Sequence, residues 1–266
     1  MEKLVPFQLS QAHLQVLETC PRKFQYLFID RLGWPSVAAQ SEAQELGSQF
    51  HQLLQQQDLG LEILPLLEDN PQLQDWFERL RQFPPPLIEG RRQSECQYAL
   101  PFEEFILVGV YDLLIQGTDR AQIVDWKTYR RPPRPEQLQQ QWQSRLYPYI
   151  LAECSDYQPE QISMLYWFAE PMQSETKSVH WYNLPYSATL HENTRHTLSK
   201  LLDKLRQELQ GLTESSDFSQ VAVLSECYGS GMDCPFVYHC EREKEEHLED
   251  LEALLDFSTF TELSLD

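Results

Sequence analysis

The chain has 266 residues, 41% of them hydrophobic and 12% aromatic, enough to bury a sizeable core without disulfide staples; a peptide and a long repeat array are both excluded. Twenty-one Lys and Arg against forty-one Asp and Glu leave a formal net charge of -20, which argues against a cationic nucleic-acid coat and requires any such contact to be local. No apolar run is long enough to span a membrane, and the N-terminal stretch lacks the basic start, apolar block and cleavage site of a secretory signal. The expectation is a soluble, cytoplasmic protein without membrane contact.

In chain order, residues 10–31 read as a helix, with Leu14, Leu17, Phe24, Leu27 and Phe28 at helical spacing and Pro21 forcing a break or restart after Cys20. Residues 41–57 form a clearer helix: Ser41 can cap it, Leu46, Phe50, Leu53 and Leu54 make its apolar stripe, and His51 lies on it. A third helix, 71–83, stops at Pro84-Pro85-Pro86, which marks the edge of a helical N-terminal portion. From residue 93 the texture turns β-branched and aromatic, and three consecutive strands are expected, separated at Pro101 and at Gly117-Thr118-Asp119. Residues 136–153 return to helical spacing through Leu138, Trp142, Leu146, Tyr149 and Ile150; strands at 161–169 and 178–184 and a helix at 187–210 follow. Three strands, a helix and further strand make an α/β layout whose strand order the pattern leaves open.

The charge is unevenly placed. Residues 241–266 hold ten acidic and two basic residues, and just beyond their polar start Leu248, Leu251, Leu254, Leu255 and Phe257 form an amphipathic stripe able to dock on this chain or on a partner. Between Asp125 and Glu136 the sign reverses: Lys127, Arg130, Arg131 and Arg134 stand with no acidic residue among them. Of six cysteines, Cys227, Cys234 and Cys240 crowd together, and in a reducing compartment such crowding points to a metal or cluster site, because thiolates held together need a cation.

The chemically informative stretch is Gly109-Val110-Tyr111-Asp112 on the second expected strand and Ile123-Val124-Asp125-Trp126-Lys127-Thr128 on the third. Two carboxylates on adjacent strands can converge on one hard cation, and Mg²⁺ or Mn²⁺ needs few protein oxygens. Lys127, two residues after Asp125, shares its face of the strand, while Trp126 points the other way into packing. A carboxylate beside an almost wholly apolar strand is costly to bury without a partner, which makes Asp112 and Asp125 hard to read as surface residues.

In these residues the chain resembles the PD-(D/E)XK nuclease superfamily and, within it, the RecB-like branch of RecB and AddB nuclease domains and CRISPR-associated exonucleases. The resemblance covers most of the chain and implies a restriction-endonuclease-like core, a central mixed sheet flanked by helices. It implies Asp112 and Asp125 as metal ligands, with the Trp126 carbonyl as another, and Lys127 as the catalytic lysine. Gly47-Ser48-Gln49-Phe50-His51 matches the family's upstream G-x-x-x-H element, whose histidine also reaches the metal; Glu95 stands where an acidic residue precedes the strand pair; and Gln143-Ser144-Arg145-Leu146-Tyr147 matches its Q-x-x-x-Y helix, with Gln143 and Tyr147 one turn apart. A lone D-x-K carries almost no information. The weight lies in finding all of these elements in order.

One distant cysteine, Cys20, and the three clustered ones match the arrangement of the iron–sulfur members of that branch, which implies a 4Fe–4S cluster on Cys20, Cys227, Cys234 and Cys240; structural Zn²⁺ is the alternative. The family usually joins the first two clustered cysteines in C-x-x-C, whereas here six residues separate Cys227 from Cys234, so either the Gly229-Ser230-Gly231 loop delivers Cys227 or that ligand is lost. The implied organisation is one nuclease domain over 1–245, with a helical portion at 1–86, the catalytic core at 87–210 and a cysteine segment at 220–240 closing onto Cys20, followed by the acidic tail 246–266. The implied activity is metal-dependent hydrolysis of DNA, as an exonuclease on single strands or ends in repair, recombination or CRISPR-related processing, with Arg130, Arg131 and Arg134 on the DNA backbone and a protein partner for the tail. The alternative is a non-catalytic nucleic-acid-binding or scaffold subunit that keeps the fold.

Overall fold

In the computed structural model, which describes residues 7–33, 38–67, 70–128, 133–173, 178–212, 217–222, 227 and 234–241, the apolar run ahead of Asp112 becomes a strand with three neighbours. The described elements are β1 (Gln8–Leu9), α1 (Gln11–Thr19), α2 (Pro21–Phe24) leading into a π-helical turn (Gln25–Ile29), α3 (Ala38–Asp58), α4 (Leu64–Leu67), α5 (Pro71–Gln82), β2 (Arg91–Phe102), β3 (Phe105–Gln116), β4 (Ala121–Lys127), α6 (Pro135–Gln140), α7 (Trp142–Glu153), a short 3-10 helix (Pro159–Gln161), β5 (Ile162–Gln173), β6 (Ser178–Pro185) and α8 (Ala188–Gly211). Arg130, Arg131, the Gly229-Ser230-Gly231 loop and the 246–266 tail lie outside the described residues. Among the described residues no helix is long and apolar enough to cross a membrane.

Six strands form one mixed sheet in the order β1-β3-β4-β5-β6, with β2 on the other side of β3. β2 runs antiparallel along the whole of β3, from Arg91 opposite Gln116 to Phe102 opposite Phe105. The other edge of β3 is shared: β1 pairs in parallel with Ile106 and Leu107, and β4 pairs antiparallel only with Leu113–Gln116. The ladder therefore opens at Asp112. β5 runs parallel to β4, with Asp125 beside Tyr166, and β6 closes the edge antiparallel to β5.

One face of the sheet is covered by α3, α4 and α5, where Phe50, Leu53, Leu54, Trp76 and Phe77 pack on Leu113, Ile115, Val124, Trp126, Leu165 and Trp167. Trp167 is wholly buried, lies 5.9 Å from the Phe50 ring and 6.1 Å from Trp126, and donates its indole N–H to the Phe83 carbonyl. On β2, β3 and β5 also rests α7, with Trp142, Leu146, Tyr149 and Ile150 fully buried. Gly109 permits this approach: a Cβ there would stand 3.1 Å from the Tyr111 ring, 3.4 Å from Tyr147 and 3.5 Å from Ile150.

The single helix expected over 136–153 is two helices. Gln141 is extended, at φ -67 and ψ 142, and separates α6 from α7. The Ser144 hydroxyl donates to the Leu138 carbonyl across this corner, which gives the end of α6 a partner that helix continuation would otherwise have supplied. Periodicity could not reveal the break, because Leu138 and Trp142 remain four residues apart on either side of it.

By contacts the chain divides into Met1–Glu18 with Ser36–Gln207, which contain the sheet, and Thr19–Pro35 with Glu208–Asp266. In the second unit two stretches distant in sequence are joined side by side. Arg22 donates to the Phe218 carbonyl and pairs with Asp217 at 2.7 Å, Phe218 N–H donates to Gln25, and the Phe24 and Phe218 rings stack. Tyr26 donates to the His239 carbonyl and packs on Phe236. Cys20 caps α2, its sulfur accepting from Lys23 N–H, with Pro21 at the first helical position where the missing N–H costs nothing.

Trp167→Ala removes the one fully buried tryptophan of the cluster shared by the sheet and the α3–α5 layer. We expect a loss of about 3–5 kcal/mol of unfolding free energy, read as a lower urea midpoint at unchanged slope. A midpoint equal to the parent's would contradict this core assignment.

Candidate active site

Three carboxylates follow the register of the first three long strands. Ser94 opposite Leu113 and Cys96 opposite Tyr111 bring Glu95 across from Asp112, and Leu113 opposite Val124 brings Asp125 to its other side. Glu95 has φ 50, a left-handed conformation that costs a residue with a Cβ about 1–2 kcal/mol. Such strain persists only where the surroundings over-determine it.

Because β3 and β4 part at Asp112, the Trp126 N–H has no ladder partner there and donates instead to Asp112 Oδ2 at 2.8 Å. The other oxygen, Oδ1, lies 3.3 Å from His51 Nδ1. Donor atoms of His51, Glu95 and Asp112 all fall within 4.8 Å of one another, and among the described residues they are the group of that kind. His51 comes from α3, which reaches the end of β4 through Gly47: a Cβ there would stand 3.0 Å from Thr128 Oγ1. One helical turn on, the imidazole faces Asp112. The spacing of the G-x-x-x-H element is thus a close approach followed by one turn.

Asp125 is almost wholly buried and turned toward α7. Gln143 Nε2 donates to its Oδ1 at 2.5 Å, and Gln143 Oε1 accepts from Lys127 Nζ at 2.9 Å. Lys127 Nζ also lies 2.7 Å from Asp125 Oδ2, an ion pair between two side chains on the same face of β4. One amide therefore holds both the carboxylate and the ammonium.

The electrostatics follow from this crowding. Burial, opposed by Lys127 and reinforced by Asp112, raises the Asp125 carboxyl to about 6. Glu95 is pushed up by burial and then by Asp112. Burial pulls His51 down, but Asp112, Asp125 and Glu95 together leave it raised. Tyr147, buried and close to Asp125 and Asp112, is pushed up to about 12 and stays a neutral phenol at physiological pH. Clustered carboxylates beside an imidazole fit a divalent cation, the donor chemistry a hard oxygen-binding ion takes, and its charge would offset the part of these shifts that comes from neighbouring carboxylates.

The expected site residues thus form two connected groups. His51, Glu95 and Asp112 make one; Asp125, Lys127, Gln143 and Tyr147 make the other, and the Trp126 backbone joins them. Glu95 stands with His51 and Asp112 in the group that could hold a cation, whereas Asp125 is engaged by Lys127 and Gln143. Arg134 is exposed at the start of α6, its N–H bonded to Gln137. Of the other arginines, Arg22 pairs with Asp217 and Arg92 with Asp58. The sequence reading missed Tyr166, whose ring centroid is 5.7 Å from Lys127 Nζ; only the parallel pairing of β5 with β4 brings it there.

The cysteine thiols do not form a comparably close donor group among the described residues. They are nevertheless electrostatic neighbours within the second unit. Cys234 is raised by burial and further by Cys227 and Cys20, and Cys240 by burial and then by Cys20 and Cys234, against a hydrogen bond with Tyr26. Cys96 and Cys154 belong to the other unit.

A cavity of about 760 Å³ lies on another flank of α7, lined by Ser144, Arg145, Pro148, Tyr186, Leu190 and Thr194 among others. It contains none of the site carboxylates.

The left-handed backbone at Glu95 yields a test. Glu95→Gly and Glu95→Ala both remove the carboxylate, but only glycine relaxes φ, so the glycine variant should be the more stable by about 1 kcal/mol in thermal or urea unfolding. Equal stabilities would mean that the strand carries no strain at this position.

A family model described as the PD-(D/E)XK nuclease superfamily matches residues 8–241. No curated protein matches the chain. Among solved structures 24 chains match; one, "Crystal structure of SSO0001", is 12% identical and is covered over 77% of its length by 75% of this chain, with a TM-score of 0.36. With the family model spanning nearly all of a mixed six-stranded sheet, its helices and the D-x-K strand, the chain belongs to the PD-(D/E)XK nuclease superfamily.

Proposed function

We propose that the protein is a Mg²⁺- or Mn²⁺-dependent deoxyribonuclease of the RecB-like branch, acting as an exonuclease on single-stranded DNA or DNA ends in repair, recombination or CRISPR-related processing. The observation that carries this reading is the Gln143 bridge, which holds Lys127 against Asp125 beside the His51–Glu95–Asp112 group. A scaffold has no need to keep buried carboxylates next to a lysine, since such groups are costly unless a cation or substrate uses them.

His51, Asp112, Asp125, the Trp126 carbonyl and Glu95 would hold the cation, which when bound supplies Lewis-acid polarisation of a phosphoryl oxygen. Lys127 carries its positive charge to the rim of the carboxylates, where it orients the attacking water and offsets charge growing on the phosphoryl oxygens. Gln143 fixes the distance between Lys127 and Asp125, so both reach the scissile bond as one unit. Tyr147, a neutral phenol, donates a hydrogen bond and does not act as a base. Arg130, Arg131 and Arg134 supply local positive charge for the DNA backbone in a chain of net charge -20, and the acidic tail 246–266 is the segment for a protein partner.

The same reading assigns Cys20, Cys227, Cys234 and Cys240 to a structural 4Fe–4S cluster. Its support is that the four thiols fall in one unit and are electrostatic neighbours there.

Anaerobically purified protein should degrade end-labelled DNA only when Mg²⁺ or Mn²⁺ is added. Asp112→Ala, Asp125→Ala and Lys127→Ala should each lose at least about a hundredfold in kcat, roughly the scale of removing one preorganised charged group, while remaining folded. Near-parent cleavage by any of the three would sink the assignment. Independently, the protein should be brown, and Cys20→Ser, Cys234→Ser or Cys240→Ser should bleach it where Cys96→Ser and Cys154→Ser do not. Colourless protein with stoichiometric zinc would replace the cluster by Zn²⁺.

A further inference from the structure

Lys127 has a four-carbon stem with many rotamers, and its charge is useful only where it is held. Asp125 Oδ2 at 2.7 Å and Gln143 Oε1 at 2.9 Å hold two sides of the ammonium. A third side is closed by Tyr166, the register partner of Asp125 on β5, whose ring centroid is 5.7 Å from Nζ, within the roughly 6 Å reach of a cation–π attraction.

Tyr166 is itself pinned. It is fully buried, its ring lies near-parallel to Phe168 at 6.3 Å, and its hydroxyl is 2.7 Å from Ser144 Oγ. Ser144 has one hydroxyl hydrogen, and its 2.5 Å contact with the Leu138 carbonyl uses it. The Tyr166 O–H therefore donates to Ser144. Ser144 is the neighbour of Gln143 and braces the corner at Gln141, so the same hydroxyl pair sets both the ring beneath the ammonium and the start of the helix that carries the bridging amide.

We infer that Tyr166 is a positioning residue for the reaction: its ring face fixes the Lys127 ammonium, and its hydroxyl, through Ser144, ties that ring to the α6–α7 corner. The inference rests on the nuclease reading of Lys127. It concerns a residue that no recognised motif of this sequence includes.

A shape-conserving series tests it. Phenylalanine and its mono-, di- and trifluorinated forms are incorporated at position 166; fluorine withdraws electron density from the ring face while leaving packing nearly unchanged. With Mg²⁺ and single-stranded DNA, kcat should fall stepwise along the series, on the order of tenfold from first to last, with KM constant. A purely structural ring predicts a flat series, and a flat series in an active enzyme overturns the inference. A second measurement does not need activity. In protein labelled with ¹³C-lysine, the Lys127 ε-methylene, identified by its loss in Lys127→Arg, should be shifted upfield by the ring current and should return to the position of exposed lysines in Tyr166→Leu. An unshifted methylene in the parent overturns the inference. A shifted methylene in protein that cleaves no DNA under any metal upholds the contact and overturns the nuclease reading instead.

Discussion

Asp125 is the group whose burial the surrounding structure has to answer for. A carboxylate enclosed after Ile123 and Val124 in the middle of a sheet is destabilising by several kcal/mol unless charge and hydrogen bonds reach it. Lys127 supplies the charge from the same strand, and Gln143 supplies an amide hydrogen from a helix that must be aimed for the purpose. That aim depends on the corner at Gln141, on the bare surface of Gly109 beneath Tyr147 and on the Ser144–Tyr166 contact. On the other side, β4 leaves β3 at Asp112, which frees one backbone N–H and lets Asp112 take it while facing His51.

The arrangement over-compensates nothing. One lysine and one histidine stand among three carboxylates, and Glu95 and Asp125 are both displaced upward, first by burial and then by the charge of Asp112. Stability alone would favour replacing such a cluster with apolar side chains. Its presence beside a strand as apolar as β3 is what distinguishes a site from a core, and the left-handed Glu95 belongs to the same account: backbone strain is tolerated where it brings a donor beside His51 and Asp112.

Much of this was legible in the sequence, for identifiable reasons. The β2–β3–β4 meander announced itself through short apolar segments and turn residues, and the order of His51, Glu95, Asp112, Asp125, Lys127 and Gln143 could be read because each sits on an element with a clear period. What escaped depends on pairings that pattern does not encode. Tyr166 looked like one aromatic among several until β5 was placed parallel to β4. The break at Gln141 was hidden because helical spacing survives it, and the conformation of Glu95 has no compositional signal, since glutamate is not a residue that announces a positive φ. The sharing of one edge of β3 by β1 and β4 is a topological fact with no trace in local periodicity.

That shared edge bears on the order in which the molecule assembles. β2, β3 and β4 are joined by short turns and form local contacts, whereas β1 meets β3 across nearly the whole N-terminal helical portion, and the helices bearing His51 and Gln143 lie outside the meander. Contacts close in sequence close their loops at least entropic cost, so the meander is the natural early structure. Such an intermediate would bring Glu95, Asp112 and Asp125 side by side with Lys127 alone beside them, before imidazole or amide arrives. Its persistence should then depend on ionic strength, and refolding rates that did not change between low and high salt would argue against this order of events.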